Sequence, residues 1–388
     1  MKIKRTLDTL RSVAGYPGIV RSLQKARSSI FFIFPSWQIG GSERVHADIM
    51  KAVRECKPVC IITSVQEGDG FRQLFEKYAN VIYLRRWGSK VSFRPKMAKL
   101  VAKAINRQDN VTVFGSNNLF FYDVIPYLKE HVRIIDLTHS ITPNRDWCEA
   151  YSVPYVERIQ HRVVLGTGTL EAFKEIYAQH GISKTFLERF RVIPNKVSVT
   201  EADSDKQDRN GPFEVLFVGR NSDEKRPVLF FEIAKRCTAA GIDASFTAVG
   251  DFDTFAPRYA SYVNFVGQIR DESRLKQYYR KSHLILITSV FEGFPMVLLE
   301  SMVFGVVPVC TAVGEIPNYI SEQRGTGYVV DKQSSEEQLV ERFVEIIKEL
   351  SRNRALWKTY SERCVEMVKQ NFNEQQFAHG YRSLLIND

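Results

Sequence analysis

The sequence predicts an α/β protein made of two Rossmann-like domains, each built on a parallel sheet. Short, continuous apolar runs of strand length recur along the chain, and each is followed by a longer segment of helical composition. Runs without apolar–polar alternation are typical of strands buried on both faces, and therefore of parallel sheets covered by helices. The length of 388 residues also exceeds what one ordinary core accommodates, so we expect two domains.

The apolar runs fall into two sets separated by a polar segment rich in turn formers. The first set lies at 29–35, 58–63, 80–84, 110–115, 132–138, 162–166 and 190–194, and the second lies at 213–219, 245–250, 262–267, 283–289, 306–311 and 327–330. The pattern predicts an N-terminal domain over 1–200, a linker over 201–212, a C-terminal domain over 213–370 and a C-terminal helix over 371–388 that packs back on the N-terminal domain. Ligands of parallel sheets bind beyond the carboxyl ends of the strands, so we expect a site in a cleft between the domains.

The composition excludes several classes of protein. Hydrophobic residues at 44% and charged residues at 25% match a globular protein rather than a disordered or fibrous one. No uninterrupted apolar stretch reaches 18 residues, and the N-terminus lacks the apolar core of a signal peptide. The six cysteines are scattered without zinc or redox spacing, which is typical of buried thiols in a reducing compartment. We therefore expect a cytoplasmic protein.

The segment after the run at 283–289 contains the residues that most strongly indicate a ligand-binding site. Glu292 and Glu300 lie eight residues apart there, and Gly293 and Pro295 stand between them. Pro295 is typical of the first turn of a helix, and a glycine lets the backbone approach a ligand closely. Helix positions eight residues apart lie within roughly 80° of one another, so both carboxylates can accept hydrogen bonds from one bound sugar nucleotide.

The stretch FEGFPMVLLESM (291–302) resembles the E-x7-E signature of the group 1 family of retaining GT-B glycosyltransferases. Four more segments resemble the same family in the expected order: the Gly-Gly loop within 35–45, VIPNKV at 192–197, FVGRNSDEKRP at 217–227 and FVGQI at 265–269. The resemblance implies a GT-B fold and a nucleotide-sugar donor bound by the second domain. It assigns donor binding to Gly40, Gly41, Gly219, Val266, Ile269, Gly293, Phe294, Pro295 and Glu300.

The resemblance also implies catalytic roles for Arg220, Lys225 and Glu292. Arg220 and Lys225 follow a strand and a glycine, where two cations can neutralise a diphosphate leaving group. Because the protein supplies these charges itself, we predict no metal ion and no cofactor. Gly40 and Gly41 allow backbone N–H groups and the start of a helix at 42–54 to approach phosphate oxygens.

One position departs from the family pattern. Many members carry a histidine at the end of the fourth strand, where this sequence has Ser116, Asn117 and Asn118. His139, after the next strand, is the nearest substitute and is the fourth predicted catalytic residue. A histidine at a strand end is also commonly a structural hydrogen-bonding residue, and both roles stay open for His139.

The positive charge is concentrated in the first half of the chain. Residues 1–200 contain 31 Lys and Arg against 17 Asp and Glu, whereas the remainder contains 23 against 27. Eight basic residues and no acid lie between Arg85 and Arg107, with Trp87 and Phe93 among them. Either a solvated face or a surface that rests on anionic membrane accounts for this stretch. The basic N-terminal segment, with Lys2, Lys4, Arg5 and Arg11, adds to the same surface.

The leading hypothesis is a hexosyltransferase that uses a nucleotide-sugar donor and a glycan or lipid-linked acceptor in the synthesis of a surface polysaccharide or glycolipid. A sugar-nucleotide epimerase and a non-catalytic family member are the alternatives, the second because of the missing histidine. A nucleic-acid-binding role is disfavoured, since the sequence contains no helix-turn-helix, RNA-recognition aromatic pair or zinc finger.

Overall fold

The computed structural model describes residues 16–64, 68–142, 144, 147–198, 209 and 211–386. The chain forms two compact units, one of Met1–Ile193 with Gln375–Asp388 and the other of Pro194–Glu374. The predicted linker, 201–212, lies mostly outside the described residues, as do Lys2, Lys4, Arg5 and Arg11. Among the described residues, no helix is both long and apolar enough to cross a membrane.

The first unit is built on a seven-stranded parallel sheet. Its strands are β1 (Ile30–Phe34), β2 (Val59–Ile62), β3 (Asn80–Tyr83), β4 (Thr112–Ser116), β5 (Arg133–Thr138), β6 (His161–Val164) and β7 (Phe190–Val192). Their order in the sheet is β3-β2-β1-β4-β5-β6-β7. The five residues of β1 are all buried, as expected for a central strand with helices on both faces.

The helices of the first unit follow the strands. They are α1 (16–25), α2 (Gly41–Ala52), α3 (Arg72–Tyr78), α4 (Arg86–Ser89), α5 (Arg94–Ile105), α6 (Leu119–Val124), α7 (Cys148–Tyr151), α8 (Thr167–Gln179) and, from the C-terminal end of the chain, α16 (Glu374–Leu385). Short 3₁₀ helices occupy Arg54–Cys56, Ile125–Tyr127, Val153–Tyr155 and Lys184–Arg189. α16 packs on this unit, where Tyr381 lies against Phe114 with ring centroids 6.1 Å apart.

The second unit is built on a six-stranded parallel sheet. Its strands are β8 (Phe213–Val218), β9 (Ala244–Val249), β10 (Asn264–Gly267), β11 (Leu284–Ile287), β12 (Val307–Thr311) and β13 (Tyr328–Val330). They are arranged in the order β10-β9-β8-β11-β12-β13. With the seven-stranded sheet of the first unit, this confirms the predicted fold class of two parallel-sheet α/β domains.

The helices of the second unit begin at recognisable sequence signals. They are α9 (Pro227–Ala239), α10 (Ala256–Tyr259), α11 (Glu272–Lys281), α12 (Met296–Val303), α13 (Ile316–Tyr319), α14 (Glu336–Arg352) and α15 (Arg354–Asn371). Pro227 occupies the first position of α9, and Ser335 with Gln338 forms a capping box on α14. A 3₁₀ helix also covers Asp253–Phe255.

The contacts divide the chain after Ile193, whereas the sequence prediction divides it after residue 200. The residues that follow Ile193 are hydrogen-bonded to the C-terminal end of the second unit. The Val197 N–H donates to the Phe372 carbonyl oxygen at 2.9 Å, and the Ser198 hydroxyl donates to the Glu374 carboxylate at 3.3 Å. Polarity alone does not reveal such a pairing between distant segments.

Candidate functional site

The strand order of the second sheet reverses between β8 and β11. The strands that follow β8 in sequence lie on one side of it and those that follow β11 lie on the other. At such a switch point the loops after the two strands turn to opposite faces of the sheet, which opens a crevice where ligands bind. The loop after β8 contains Arg220 and Lys225, and the loop after β11 contains Glu292.

The structure brings Lys225 and Glu292 together at this switch point. The Lys225 ammonium forms an ion pair with Oε1 of Glu292, and the Ser289 hydroxyl donates to the same oxygen at 2.7 Å. The two side chains keep 20% and 11% of their surface exposed. A partly exposed ion pair of this kind can exchange partners with a charged ligand, because it is neither fully solvated nor sealed from water.

Backbone contacts fix the two loops to each other. The Val290 N–H donates to the Glu224 carbonyl oxygen at 2.8 Å, and the Thr288 hydroxyl donates to the Lys225 carbonyl oxygen at 2.7 Å. Arg226, in a left-handed conformation with φ 46°, donates through Nε to the Thr288 carbonyl oxygen at 2.6 Å. The position of Lys225 relative to Glu292 is therefore set by backbone geometry as well as by charge.

Arg220 lies apart from this pair. Its side chain is 73% exposed and forms an ion pair with Glu224 at 2.7 Å, four residues along the loop. An exposed pair of this kind contributes little to stability and leaves the guanidinium able to reorient. Of the two predicted phosphate-binding cations, Lys225 is the preorganised one.

Two glycines let the turns after β9 and β12 pack closely against the backbone of the loops after β8 and β11. Gly314, after β12, has φ 55°, and a Cβ there would stand 2.2 Å from the Gly293 carbonyl oxygen and 2.3 Å from that of Glu292. Gly250, after β9, has φ 155°, and a Cβ there would stand 2.2 Å from the carbonyl oxygen of Gly219. No larger residue fits at either position without displacing the backbone of a predicted donor-binding residue.

Glu300 lies inside α12, half-buried against the preceding helix. One of its oxygens accepts a hydrogen bond from the Tyr279 hydroxyl at 3.1 Å. Burial raises the pKa of Tyr279, and the neighbouring Glu300 carboxylate raises it further, so the hydroxyl keeps its proton. Tyr279 thus orients the Glu300 carboxylate, a group that can accept several hydrogen bonds.

The residues between the two glutamates shape the start of α12. Pro295, with φ −65°, is the residue immediately before the helix, whereas the sequence predicts it within the first turn. Phe294 is buried and stacks on Phe372 with ring centroids 5.1 Å apart. The carbonyl oxygen of Gly293 accepts from the Glu315 N–H at 2.9 Å.

The predicted nucleotide-base segment lies at the edge of the same sheet. Val266 belongs to the edge strand β10 and is half-buried, and Ile269 lies two residues beyond that strand. Gly267 has φ 77°, and its carbonyl oxygen accepts from the Gly250 N–H at 3.1 Å. This contact joins the segment to the turn that supports Gly219.

In the first unit, Gly40 and Gly41 form the start of α2. Gly40 is the extended residue before the helix, and Gly41 is its first residue. The Glu43 carboxylate lies above this turn and accepts hydrogen bonds from the Ser36 hydroxyl at 2.6 Å and the Ser42 hydroxyl at 2.9 Å. A Cβ on Gly40 would stand 2.6 Å from a carboxylate oxygen of Glu43, so a larger residue there would require the Glu43 side chain to move.

His139 is buried at the end of β5 and pairs with a second histidine. Its Nε2 lies 3.0 Å from Nε2 of His46, a residue of α2 that sequence analysis does not single out. Burial lowers the pKa of His139 to about 4, and burial together with His139 lowers the pKa of His46. Both rings are therefore neutral near pH 7.

The residues that replace the family histidine make local contacts. Ser116 ends β4 and is fully buried, and Asn117 has φ 45°. The Asn118 side chain accepts from the Phe120 N–H and donates to the Thr63 hydroxyl, both at 3.0 Å. These residues form the turn and the cap that begin α6.

The basic stretch 85–107 forms α4 and α5 with the intervening turn. Lys96, Lys99 and Lys103 are exposed on α5, and Lys99 lies over the Tyr127 ring at 5.4 Å. Arg94 instead forms an ion pair with Asp123. Trp87 packs between Tyr16 and Phe93, and Val91 and Trp147 are exposed apolar side chains of the same unit.

In each unit, the predicted residues have neighbours that the sequence analysis missed. Ser289, Tyr279 and Gly314 contact or support the predicted glutamates, and His46 contacts His139. Gly314 and His46 could have been noticed in the sequence, because one is a glycine after a buried strand and the other is a histidine one turn into a helix. Ser289 and Tyr279 could not have been noticed in this way, because the role of their hydroxyls depends on which segments the sheet order brings together.

The second half of the chain matches a known family. Residues 199–363 match the family model of the glycosyl transferases group 1. The uncharacterized 41.2 kDa protein in cps region of Klebsiella pneumoniae is 24% identical over 211 residues, which are 52% of this chain and 55% of that protein. N-acetyl-α-D-glucosaminyl L-malate synthase of Bacillus anthracis is 26% identical over 152 residues, which are 37% of each chain. The matched regions thus span about half or less of these curated relatives.

The structural similarity to solved proteins with the same fold covers nearly the whole chain. Anabaena Alr3699/HepE, crystallised with UDP, has a TM-score of 0.71 at 17% identity, covers 92% of this chain and is itself covered to 99%. A second structure of that protein contains UDP-glucose. The pneumococcal O-GlcNAc transferase GtfA, in complex with UDP and GlcNAc, has a TM-score of 0.73 at 12% identity, with 93% and 99% of the two chains covered.

These similarities establish the GT-B fold for the chain, and the family match with the names of the relatives supports a transferase. Residues 199–363, which match the family model, contain Lys225, Glu292 and Glu300.

Proposed function

We propose that the protein is a retaining glycosyltransferase that moves a hexosyl group from a nucleotide-sugar donor to a glycan or lipid-linked acceptor. The observation that carries the proposal is the Lys225–Glu292 pair, held at the switch point of a sheet in the region that matches a glycosyltransferase family model. Uridine diphosphate is the donor nucleotide we expect, because Alr3699/HepE and GtfA were both crystallised with UDP.

In this proposal, Lys225 and Arg220 bind the donor diphosphate. The Lys225 ammonium turns from Glu292 to a phosphate oxygen, where it stabilises the negative charge that develops as the sugar–phosphate bond breaks. Glu292, released from Lys225, accepts hydrogen bonds from hydroxyls of the transferred sugar, and Glu300 accepts them from the ribose. The acceptor hydroxyl attacks from the face of the sugar that the diphosphate leaves, so the anomeric configuration is retained.

The exposed lysines of α5 support a membrane location for the acceptor. Lys96, Lys99 and Lys103 face solvent on a unit that also exposes aromatic and apolar side chains. Lys and Arg near an anionic leaflet each contribute about 1 kcal/mol, and aromatic rings favour the interface. We propose that this surface rests on the cytoplasmic face of a membrane and that the product is a surface polysaccharide or glycolipid.

Incubation with a panel of UDP-, GDP- and ADP-sugars tests the activity. Release of nucleoside diphosphate that depends on a glycan or lipid-linked acceptor is expected, and it should survive thorough chelation with EDTA because the protein supplies the cations. NMR of the product should give the anomeric configuration of the donor. Loss of activity with EDTA that manganese or magnesium restores would contradict the metal-free site.

The same assay separates the alternatives. Conversion of a nucleotide sugar into its epimer, without acceptor-dependent release of the nucleotide, identifies an epimerase. Nucleotide binding by calorimetry, without turnover of any donor, identifies a non-catalytic member of the family. Inversion at the anomeric carbon would contradict the retaining mechanism while leaving the transferase intact.

A further inference from the structure

The two buried histidines of the first unit constrain each other. His46 is 0% exposed, and its ring stacks on Phe34 with a centroid separation of 3.9 Å and an interplanar angle of 4°. His139 is 7% exposed, and its Nε2 lies 3.0 Å from Nε2 of His46. A contact this short between two ring nitrogens requires one proton between them, so one histidine donates and the other accepts.

Two arrangements of protons satisfy this contact. In the first, His46 carries its proton on Nε2 and donates to His139, which must then carry its own proton on Nδ1. In the second, His139 donates from Nε2, and the proton of His46 lies on Nδ1. Each arrangement contains one ring of each tautomer, so the intrinsic preference of imidazole cancels between them.

The surroundings of His46 distinguish the two arrangements. Its Nδ1 is buried and has no hydrogen-bond partner among the described residues. Each arrangement leaves one N–H and one lone pair without a protein partner. The second places that N–H on His46, which is 0% exposed, whereas the first places it on His139, which keeps 7% of its surface exposed, and leaves only an unused lone pair on His46. Buried N–H groups without an acceptor are rarer in proteins than acceptors with an unused lone pair. Removing either from water without a partner costs about 1–3 kcal/mol.

We propose that His46 is a positioning residue that donates to Nε2 of His139 and thereby fixes His139 in its Nδ1–H tautomer. Because Nε2 is then engaged, the remaining ring position of His139 is a hydrogen-bond donor and has no lone pair to accept a proton. His46 is the one described residue that hydrogen-bonds this ring, so Nδ1–H is available to an oxygen of a ligand.

This inference rests on the proposed function, and it assigns His139 a narrower role in it. His139 donates a hydrogen bond to a substrate oxygen, and it is not the base that deprotonates the acceptor. The low pKa of His139, about 4 because of burial, agrees with a ring that stays neutral during turnover. Transfer must then deprotonate the acceptor hydroxyl through another group, such as an oxygen of the leaving diphosphate.

Long-range ¹H–¹⁵N correlation spectra of the full chain, labelled on histidine, read the tautomers directly. Three other histidines serve as internal references. His180 carries a proton on Nδ1, which contacts the Ile176 carbonyl oxygen at 2.9 Å, and His131 carries one on Nε2, which contacts the Gln108 carbonyl oxygen at 3.2 Å. His283 accepts from the Glu214 N–H through Nδ1 and is therefore protonated on Nε2. We expect His139 to match His180, and His46 to match His131 and His283.

Two substitutions of His46 separate positioning from packing. His46→Gln keeps an Nε2–H donor, and His46→Phe keeps a ring over Phe34 but cannot donate. We expect His139 to stay in the Nδ1–H form in the first variant and to acquire Nε2–H in the second. With the second variant kcat should fall about tenfold while the donor KM stays near wild type, the scale of one lost hydrogen bond. Thermal midpoints of both variants control for folding.

The proposal is overturned if His139 of the wild type shows the Nε2–H pattern, or if His46→Phe leaves its tautomer unchanged. The spectra need no substrate. A protein that turns over no nucleotide sugar would therefore refute the proposed function while the histidine pair is still decided by the spectra.

Discussion

One ion pair in the first unit and one in the second lie in opposite environments. In the first, Asp136 of β5 and Arg162 of β6 are sealed in the core, 0% and 2% exposed, with a separation of 2.8 Å. In the second, Lys225 and Glu292 lie at the open end of the sheet and reach solvent. The sealed pair has fixed partners, whereas the open pair can exchange one partner for a ligand. Burial, more than charge, thus distinguishes a structural pair from one suited to binding.

Additional contacts surround the sealed pair, although Nε of Arg162 is buried without a hydrogen-bond partner among the described residues. The Tyr122 hydroxyl contacts both oxygens of Asp136 at 3.0 Å, and Arg162 donates to the Ser152 hydroxyl at 2.9 Å. The Arg162 guanidinium also lies over the Phe173 ring, 4.4 Å from its centroid. A buried ion pair is tolerated only when its remaining donors and acceptors find partners, and this network contributes several of them.

The largest expected effect comes from breaking the sealed pair. Asp136→Ala leaves the Arg162 charge buried without its partner, and the free energy of unfolding of the first unit should fall by about 3–5 kcal/mol. Urea unfolding in a Trp357→Phe background measures it, because the remaining tryptophans, Trp37, Trp87 and Trp147, all lie in the first unit.

The control removes an exposed pair of the same unit. Arg72 forms an i, i+4 pair with Glu76 in which both side chains are nearly half exposed. Arg72→Ala should change the free energy of unfolding by less than about 0.5 kcal/mol. Similar losses in the two variants would mean that burial is not what separates these pairs.

The second prediction concerns the open pair. Lys225→Ala should slow transfer about 10²-fold or more, the scale of losing one preorganised charge partner in the transition state. Arg220→Ala should cost about tenfold, because this exposed side chain must be ordered before it binds. Steady-state kinetics on the same donor compare them, with Lys348→Ala on the exposed face of α14 as the control. Near wild-type turnover by both variants with intact folding would show that the donor site lies elsewhere.

The contrast between the pairs also indicates how far the sequence can predict the molecule. Apolar runs such as 29–35 and 213–219 predict buried parallel strands, because a short run with no polar face is stable only where both of its faces are covered. The position of Lys225 opposite Glu292 depends on sheet order, which brings residues 67 positions apart into contact. Likewise, His46 and His139 are 93 positions apart, and no periodicity in the chain relates them. Local patterns predict elements, whereas pairings across the sheet require its topology.

The third prediction separates the two glutamates by ligand. UDP contains a ribose and no transferred sugar, so Glu300→Gln should weaken UDP binding about tenfold, the loss expected for hydrogen bonds to a charged group. Glu292→Gln should leave UDP binding nearly unchanged and should lower kcat instead, because its interaction strengthens as charge develops on the sugar. Titration calorimetry with UDP compares the variants. Equal weakening by both would contradict the assigned division of roles.

The smallest expected effect tests the basic surface of the first unit. Lys96, Lys99 and Lys103 lie on the exposed side of α5, opposite the buried Met97, Ala98 and Val101. If this face rests on anionic lipid, each lysine replaced by alanine should reduce the partition coefficient about fivefold, equivalent to about 1 kcal/mol. Co-sedimentation with vesicles of phosphatidylserine and phosphatidylcholine measures it.

Salt and a matched substitution then distinguish membrane binding from a solvated face. Because exposed charges are screened beyond about 10 Å at 0.1 M salt, wild-type binding should weaken as the salt concentration rises, and neutral vesicles should bind poorly. Lys348→Ala removes the same charge from the second unit, where acidic residues outnumber basic ones, and it should leave binding unchanged. If it weakens binding as much as Lys99→Ala does, the attraction reflects net charge and not the α5 surface. Equal binding to neutral and anionic vesicles would exclude an electrostatic contact, and the lysines of α5 would then form a solvated helix face.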